Sequence, residues 1–196
     1  MELNGSAKTT RKLPVILEKE EAKALLGIPN IRYLTGLRNK AILTLMLNMG
    51  LRVKGVINLK TSNVNLKMCK LRVTSCRYIK DRDILIPTAI VNTLEKWKKR
   101  RPKSDYFFCT LKGKKLSKSY IQAMVTRYRQ RAKIPKNVTP YTLRHTFATR
   151  FYRQIKDIEM LQKILGHSDV STTKIYIKLA NVDIENAMNA FIPIVS

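Results

Sequence analysis

The sequence predicts a mainly helical α+β domain with one small antiparallel sheet. Three observations predict it. Apolar residues recur at helical spacing along most of the chain. A single stretch, residues 71–87, reads instead as two short strands around a basic turn. Helix-start residues precede several periodic segments, clearest at Thr139-Pro140, Asp157, Ser171 and Asp183. The length of 196 residues is enough for one domain with a core that needs no disulfide or metal support.

The elements follow in order. Residues 18–26 form a short helix with acids in its first turn and Gly27 after its end. The run NKAILTLMLN, residues 39–48, is apolar enough to be a buried helix and ends at Gly50. LRVTS and DILIP, residues 71–75 and 83–87, flank the turn CRYIKDR. Thr88 starts a helix with Ile90, Val91, Leu94 and Trp97 on one face, and four basic residues suit its negative end. Residues 106–110 read as a short strand, and residues 119–132 as an amphipathic helix with Ile121, Val125 and Tyr128 inward. Thr139 caps a helix to about Arg153 with Pro140 in its first position. Asp157 caps IEMLQKIL, which stops at Gly166. Ser171 caps TTKIYIKL, and Asp183 caps a separate last helix, IENAMNAF.

Composition excludes several classes. No run reaches the roughly 18 to 20 apolar residues that span a bilayer. The three cysteines, Cys69, Cys76 and Cys109, are odd in number and lack CxxC spacing, so a reducing cytosol is expected rather than a disulfide scaffold. Lys and Arg total 39 against 13 Asp and Glu, a net charge of +26. Self-repulsion on that scale points to a polyanionic partner, most simply nucleic acid. The basic residues spread from Lys8 to Lys178, which fits a long groove better than a membrane anchor.

Three clusters carry chemistry. In NMGLRVKGVINL, Arg52 follows a glycine at the end of an apolar helix. In TPYTLRHTFAT, Tyr141 and Arg144 share one face near a helix N-terminus, where free N–H groups favour phosphate. In LGHSDVSTTKIY, His167 lies just beyond Gly166, and Tyr176 follows on the next helix. Two arginines can clamp a phosphodiester and neutralise charge in its transition state. A histidine can donate a hydrogen bond or move a proton, and a tyrosine hydroxyl can attack phosphorus. The sequence has no carboxylate cluster for two-metal chemistry and no P-loop. No metal or cofactor is expected.

On these motifs, from about Leu17 to Phe191, the sequence resembles the catalytic domain of the tyrosine recombinases, the phage integrase and Xer-type family. The resemblance implies a mainly helical domain with a three-stranded sheet. It implies site-specific DNA recombination without metal, in which a tyrosine attacks the scissile phosphate to leave a 3′-phosphotyrosine and a free 5′-hydroxyl. Position by position, Arg52 and Arg144 fall on the family's two arginines, His167 on the late His or Trp, and Tyr176 on the nucleophile. The family keeps in the hairpin turn a lysine that protonates the leaving oxygen. Here chemistry favours Lys80 for that role and alignment favours Arg77, because arginine scarcely deprotonates. Tyr141 stands where the family usually has His, and Gly55 where it usually has an acid. These departures keep open a recombinase-derived DNA-binding protein with weak or no catalysis. A type IB topoisomerase-like relaxer shares the chemistry.

The resemblance also implies an organisation: a basic arm or linker remnant at 1–13 and a catalytic domain at 14–196, with the family's N-terminal core-binding domain absent. Expected partners are double-stranded DNA and further copies of the chain, assembled as a tetramer on DNA through the C-terminal helix. The expected location is the nucleoid in the cytoplasm.

Overall fold

The computed structural model describes residues 13–74, 81–167 and 171–190. Most of the 1–13 arm therefore lies outside the described residues, as do Arg77 and Lys80 in the hairpin turn.

Helix α1 (Lys19–Gly27) is closed at its start by a reciprocal Glu18–Glu21 capping box. Helix α2 (Leu34–Met49) is buried along most of its length and packs against α4 and α6. Gly50 ends α2 in the left-handed conformation, φ 63°, and its N–H reaches the Met46 carbonyl. A buried polar network fixes the start of α2. Arg38 donates to the Cys109 carbonyl at 2.8 Å and to the Tyr120 hydroxyl, and Asn39 donates to the Tyr128 hydroxyl at 2.8 Å.

Arg52 stands at the N-cap position of α3 (Val53–Asn58), a single short helix not expected from the sequence because Gly55 sits inside it. A 3-10 turn, Thr61–Asn63, leads into β1 (Val64–Asn65), followed by β2 (Lys70–Val73) and β3 (Arg82–Leu85). The three strands pair antiparallel in the order β1-β2-β3. Leu71 faces Ile84 on the inner side, and Arg72 meets Asp83 across the outer one at 2.9 Å. The expected hairpin is present, with strands shorter than predicted.

Helix α4 (Thr88–Arg100) buries Ile90, Leu94 and Trp97. The strand expected over 106–110 does not form, and only isolated bridges join Lys60 to Tyr106 and Cys109 to Lys115. The reason is that side chains take its carbonyls: Trp97 and Arg101 bind Phe107, Arg101 binds Tyr106, and Arg38 binds Cys109.

Helix α5 (Lys118–Arg131) starts one residue earlier than predicted because Ser117 is its cap. Helix α6 (Pro140–Ile155) has a Thr139–Thr142 capping box, and α7 (Ile158–Leu165) is capped by Asp157. Helix α8 (Ser171–Ala190) is one element, not the two expected. Nothing between Leu179 and Asp183 breaks a helix, and an interior Asp costs only a few tenths of a kcal/mol. Packing on α6 through Tyr176, Leu179 and Ala180 carries the helix past that point.

The main core surrounds α2. A second apolar cluster, Phe147, Ala148, Leu161, Leu165, Tyr176 and Leu179, joins α6, α7 and α8. The three motifs converge where these two cores meet.

Candidate active site

Each motif is delivered by the end of an element. The left-handed turn at Gly50 buries Leu51 and turns Arg52 outward, onto the start of α3. The capping box fixes where α6 begins, and so which face carries Tyr141 and Arg144. Gly166, φ 63°, ends α7 and turns His167 back toward α6.

Arg144 is the hub. It is only 4 % exposed, yet among the described residues it meets no carboxylate. Its Nη1 donates to the Gly50 carbonyl at 2.5 Å, and its Nη2 donates to the Leu165 carbonyl at 2.8 Å. The same Nη2 lies 2.9 Å from His167 Nε2. One side chain thus joins the end of α2, the start of α6 and the end of α7. Burial, then repulsion from Arg52, pushes its guanidinium down to about 9, so it stays charged at neutral pH.

Those contacts settle the His167 tautomer. A guanidinium can only donate, so Nε2 accepts and Nδ1 carries the proton. Nδ1 then donates to Thr173 Oγ1 at 2.9 Å, from the first turn of α8. Burial first, then Arg144, Arg52 and Arg82, push His167 down to about 3, and the ring is neutral.

Tyr176 is 2 % exposed, in the second core. Its Oη lies 3.1 Å from His145 Nδ1. Burial raises the Tyr176 hydroxyl above its usual range, against the pull of Arg144 and Arg52. His145 is half-buried and held below its usual range by burial and then by Arg144.

A groove of about 460 Å³ opens beside these groups. Arg52, Lys54, Arg82, Lys118, Tyr141 and Arg144 line it with cations and a phenol, and no carboxylate is on its wall. Tyr141 is 64 % exposed. Gly55 also lines the groove, and a Cβ there would meet Val73 at an ordinary 3.8 Å. Among the described residues, no group of three or more His, Cys, Asp or Glu side chains could hold a metal ion.

The structure therefore brings Arg52, Arg144, His167 and Tyr141 to one place, with Tyr176 directly behind. The sequence reading missed Arg82, His145 and Thr173. Arg82 Nε donates to the Ile164 carbonyl at 3.0 Å and its Nη2 to the Leu165 carbonyl at 3.1 Å, capping α7. It closes the turn CRYIKDR, but no spacing rule links residue 82 to residue 165. His145 lay within the TPYTLRHTFAT motif, where its neighbour Arg144 drew the reading. Thr173 carried no signal beyond its place between His167 and Tyr176.

A helical domain with a three-stranded sheet, holding arginines, a histidine and a tyrosine at one groove, is the catalytic-domain class of the tyrosine recombinases. Residues 16–182 match the model of the phage integrase family, and the chain belongs to that family. It is 33% identical over 200 residues to the tyrosine recombinase XerD of Staphylococcus aureus, covering 97% of this chain and 67% of that relative. The crystal structure of XerA recombinase superposes with a TM-score of 0.81 at 32% identity, over 94% of this chain and 67% of that one. XerH recombinase in a pre-cleavage complex with its difH substrate gives a TM-score of 0.74 at 25% identity, over 88% and 53%. The chain is an enzyme of this site-specific recombinase family.

Proposed function

We propose that this chain cleaves and rejoins duplex DNA through a 3′-phosphotyrosine on Tyr176. The observation that carries the reading is the hub at Arg144. A buried guanidinium with no carboxylate partner among the described residues stands at a cationic groove, beside the outward Arg52 and in front of Tyr176. Such a charge is suited to an anion that arrives with the substrate.

Arg52 and Arg144 bind the non-bridging oxygens of the scissile phosphate and stabilise the charge that grows in the transition state. His167 holds Arg144 in place for the phosphate by accepting from it at Nε2, while its Nδ1 proton is donated to Thr173. Tyr141, exposed on the groove wall, donates a hydrogen bond to the phosphate. The leaving 5′-oxygen takes a proton from the hairpin turn, from Lys80 or Arg77. The net charge of +26 and the XerH–difH complex support duplex DNA as the partner. Residues 14–196 act as the catalytic domain, with 1–13 as a basic arm. The C-terminal part of α8 docks on a neighbouring copy when a tetramer assembles on DNA, and the protein works in the cytoplasm, at the nucleoid.

The test is covalent trapping. The probe is a set of nicked duplexes tiled across the DNA segment that the protein protects from nuclease. The nick lets the short fragment diffuse away, so cleavage cannot reverse. Wild type should give a denaturation-resistant adduct, and Tyr176→Phe should give none while binding the same segment. Protection without any adduct would refute the enzymatic reading and leave a DNA-binding protein of recombinase descent. Tyr141→His and Gly55→Glu would then be the variants expected to restore cleavage, since position 55 has room for a side chain.

A further inference from the structure

We propose that His145 is a catalytic residue of this chain, its Nδ1 accepting the proton that Tyr176 gives up as Oη attacks phosphorus. The inference rests on the reading of Tyr176 as the nucleophile and adds the group that activates it.

A phenol attacks poorly while it keeps its proton, and burial makes Tyr176 harder to ionise. The proton needs an acceptor within hydrogen-bond reach. Each of the other candidates is unsuited. His167 has its Nε2 lone pair occupied by Arg144 and its Nδ1 proton given to Thr173. Tyr141, where the resemblance implies a histidine, is exposed on the groove wall and is itself a phenol. Arg144, Arg52 and Arg82 are donors only. Among the described residues, the hydrogen-bond partner of Tyr176 Oη is His145 Nδ1, at 3.1 Å.

The surroundings of His145 suit the task. Arg144 stands next to it on α6, Tyr176 faces it from α8, and His167 lies near from the end of α7. No carboxylate is among them, and the neighbouring guanidinium disfavours an imidazolium. The ring is therefore neutral at pH 7, and the tautomer with its proton on Nε2 leaves the Nδ1 lone pair for the tyrosine.

The step balances as follows. The Tyr176 Oη–P bond forms and the P–O5′ bond breaks. The phenolic proton moves to His145 Nδ1, giving an imidazolium. The 5′-oxygen leaves as a hydroxyl with a proton from a cationic side chain of the site or from water. In rejoining, His145 returns its proton to the departing tyrosine.

The experiment measures the rate of adduct formation against pH, on the trapping duplexes described above, for wild type, His145→Gln and His145→Ala. Wild type should be flat from pH 7 to the point near 9 at which Arg144 loses its charge, and should fall in acid, where His145 protonates. His145→Gln should form adduct about 10²- to 10⁴-fold more slowly at pH 7. It should recover with rising pH, because the tyrosine must then ionise unaided. Added imidazole should speed His145→Ala and leave Tyr176→Phe inert. A variant slowed by one constant factor at every pH would overturn the inference, making His145 a packing residue. A variant as fast as wild type, or faster because the contact merely restrains the tyrosine, would overturn it too. In those outcomes the wild-type adduct leaves the nucleophile reading standing, whereas absence of adduct from wild type removes both. Thermal melting of each variant separates misfolding from lost chemistry.

Discussion

Arg144 is buried at an energetic cost that three contacts offset. Desolvating a cation is expensive unless its donors are satisfied, and here two carbonyls and one imidazole take three of the five N–H groups, leaving two for a phosphate. Lysine keeps the charge but cannot span the same acceptors. Arg144→Lys should therefore lower the trapping rate by about 10²-fold or more, with DNA binding within a few-fold of wild type. His167 makes a second prediction. Its folded pKa, about 3, lies below the ordinary value near 6.5, so the unfolded chain binds the extra proton between them. Stability should be complete above pH 6.5 and fall as pH drops toward 3. Denaturant unfolding of His167→Gln across that range should show a shallower decline than wild type. Arg52, Arg144, His167 and Tyr176 stood out in the sequence as candidates because each sits in a motif with a chemical reading. Arg82 and His145 did not, since their partners lie 83 and 31 residues away and only the fold brings them close.

Elements set the register of the site through their ends. Thr139 and Thr142 fix where α6 begins, so Thr139→Ala should cost about 1 kcal/mol of stability, read from a shifted denaturation midpoint. Gly166 is stricter. Its φ is 63°, and a Cβ there would lie 2.2 Å from Arg82 Nη1. Gly166→Ala should lose about 1–2 kcal/mol to the left-handed backbone alone. It should also force Arg82 off the Ile164 and Leu165 carbonyls and slow the trapping rate with it. Caps made the helix starts easy to read: Thr139-Pro140 and Asp157 were each placed at the observed residue. The misreadings came from neighbours in space. Trp97, Arg101 and Arg38 claim the carbonyls of residues 106–110 that a strand would need. Asp183 has the chemistry of a cap, but the helix that carries Tyr176 runs through it.

At the scale of the whole molecule, a net charge of +26 and a cationic groove make binding electrostatic. If roughly 6 to 10 phosphates are contacted, affinity for duplex DNA should fall about 10³- to 10⁵-fold between about 50 and 200 mM salt. A titration flat over that range would contradict the charge reading. The fold class was legible because helical periodicity dominates the chain. What it could not show is that the expected nucleophile is packed inside the second core while another tyrosine, Tyr141, stands open on the groove. Two phenols therefore compete for the central role. The deciding measurement is mass spectrometry of the trapped adduct after nuclease and trypsin digestion. Cleavage after Lys174 and Lys178 isolates Tyr176 in the peptide IYIK, and Tyr141 falls in NVTPYTLR. With Tyr176 as the nucleophile, residual nucleotide should lie on the first peptide alone. Nucleotide on the Tyr141 peptide would contradict it.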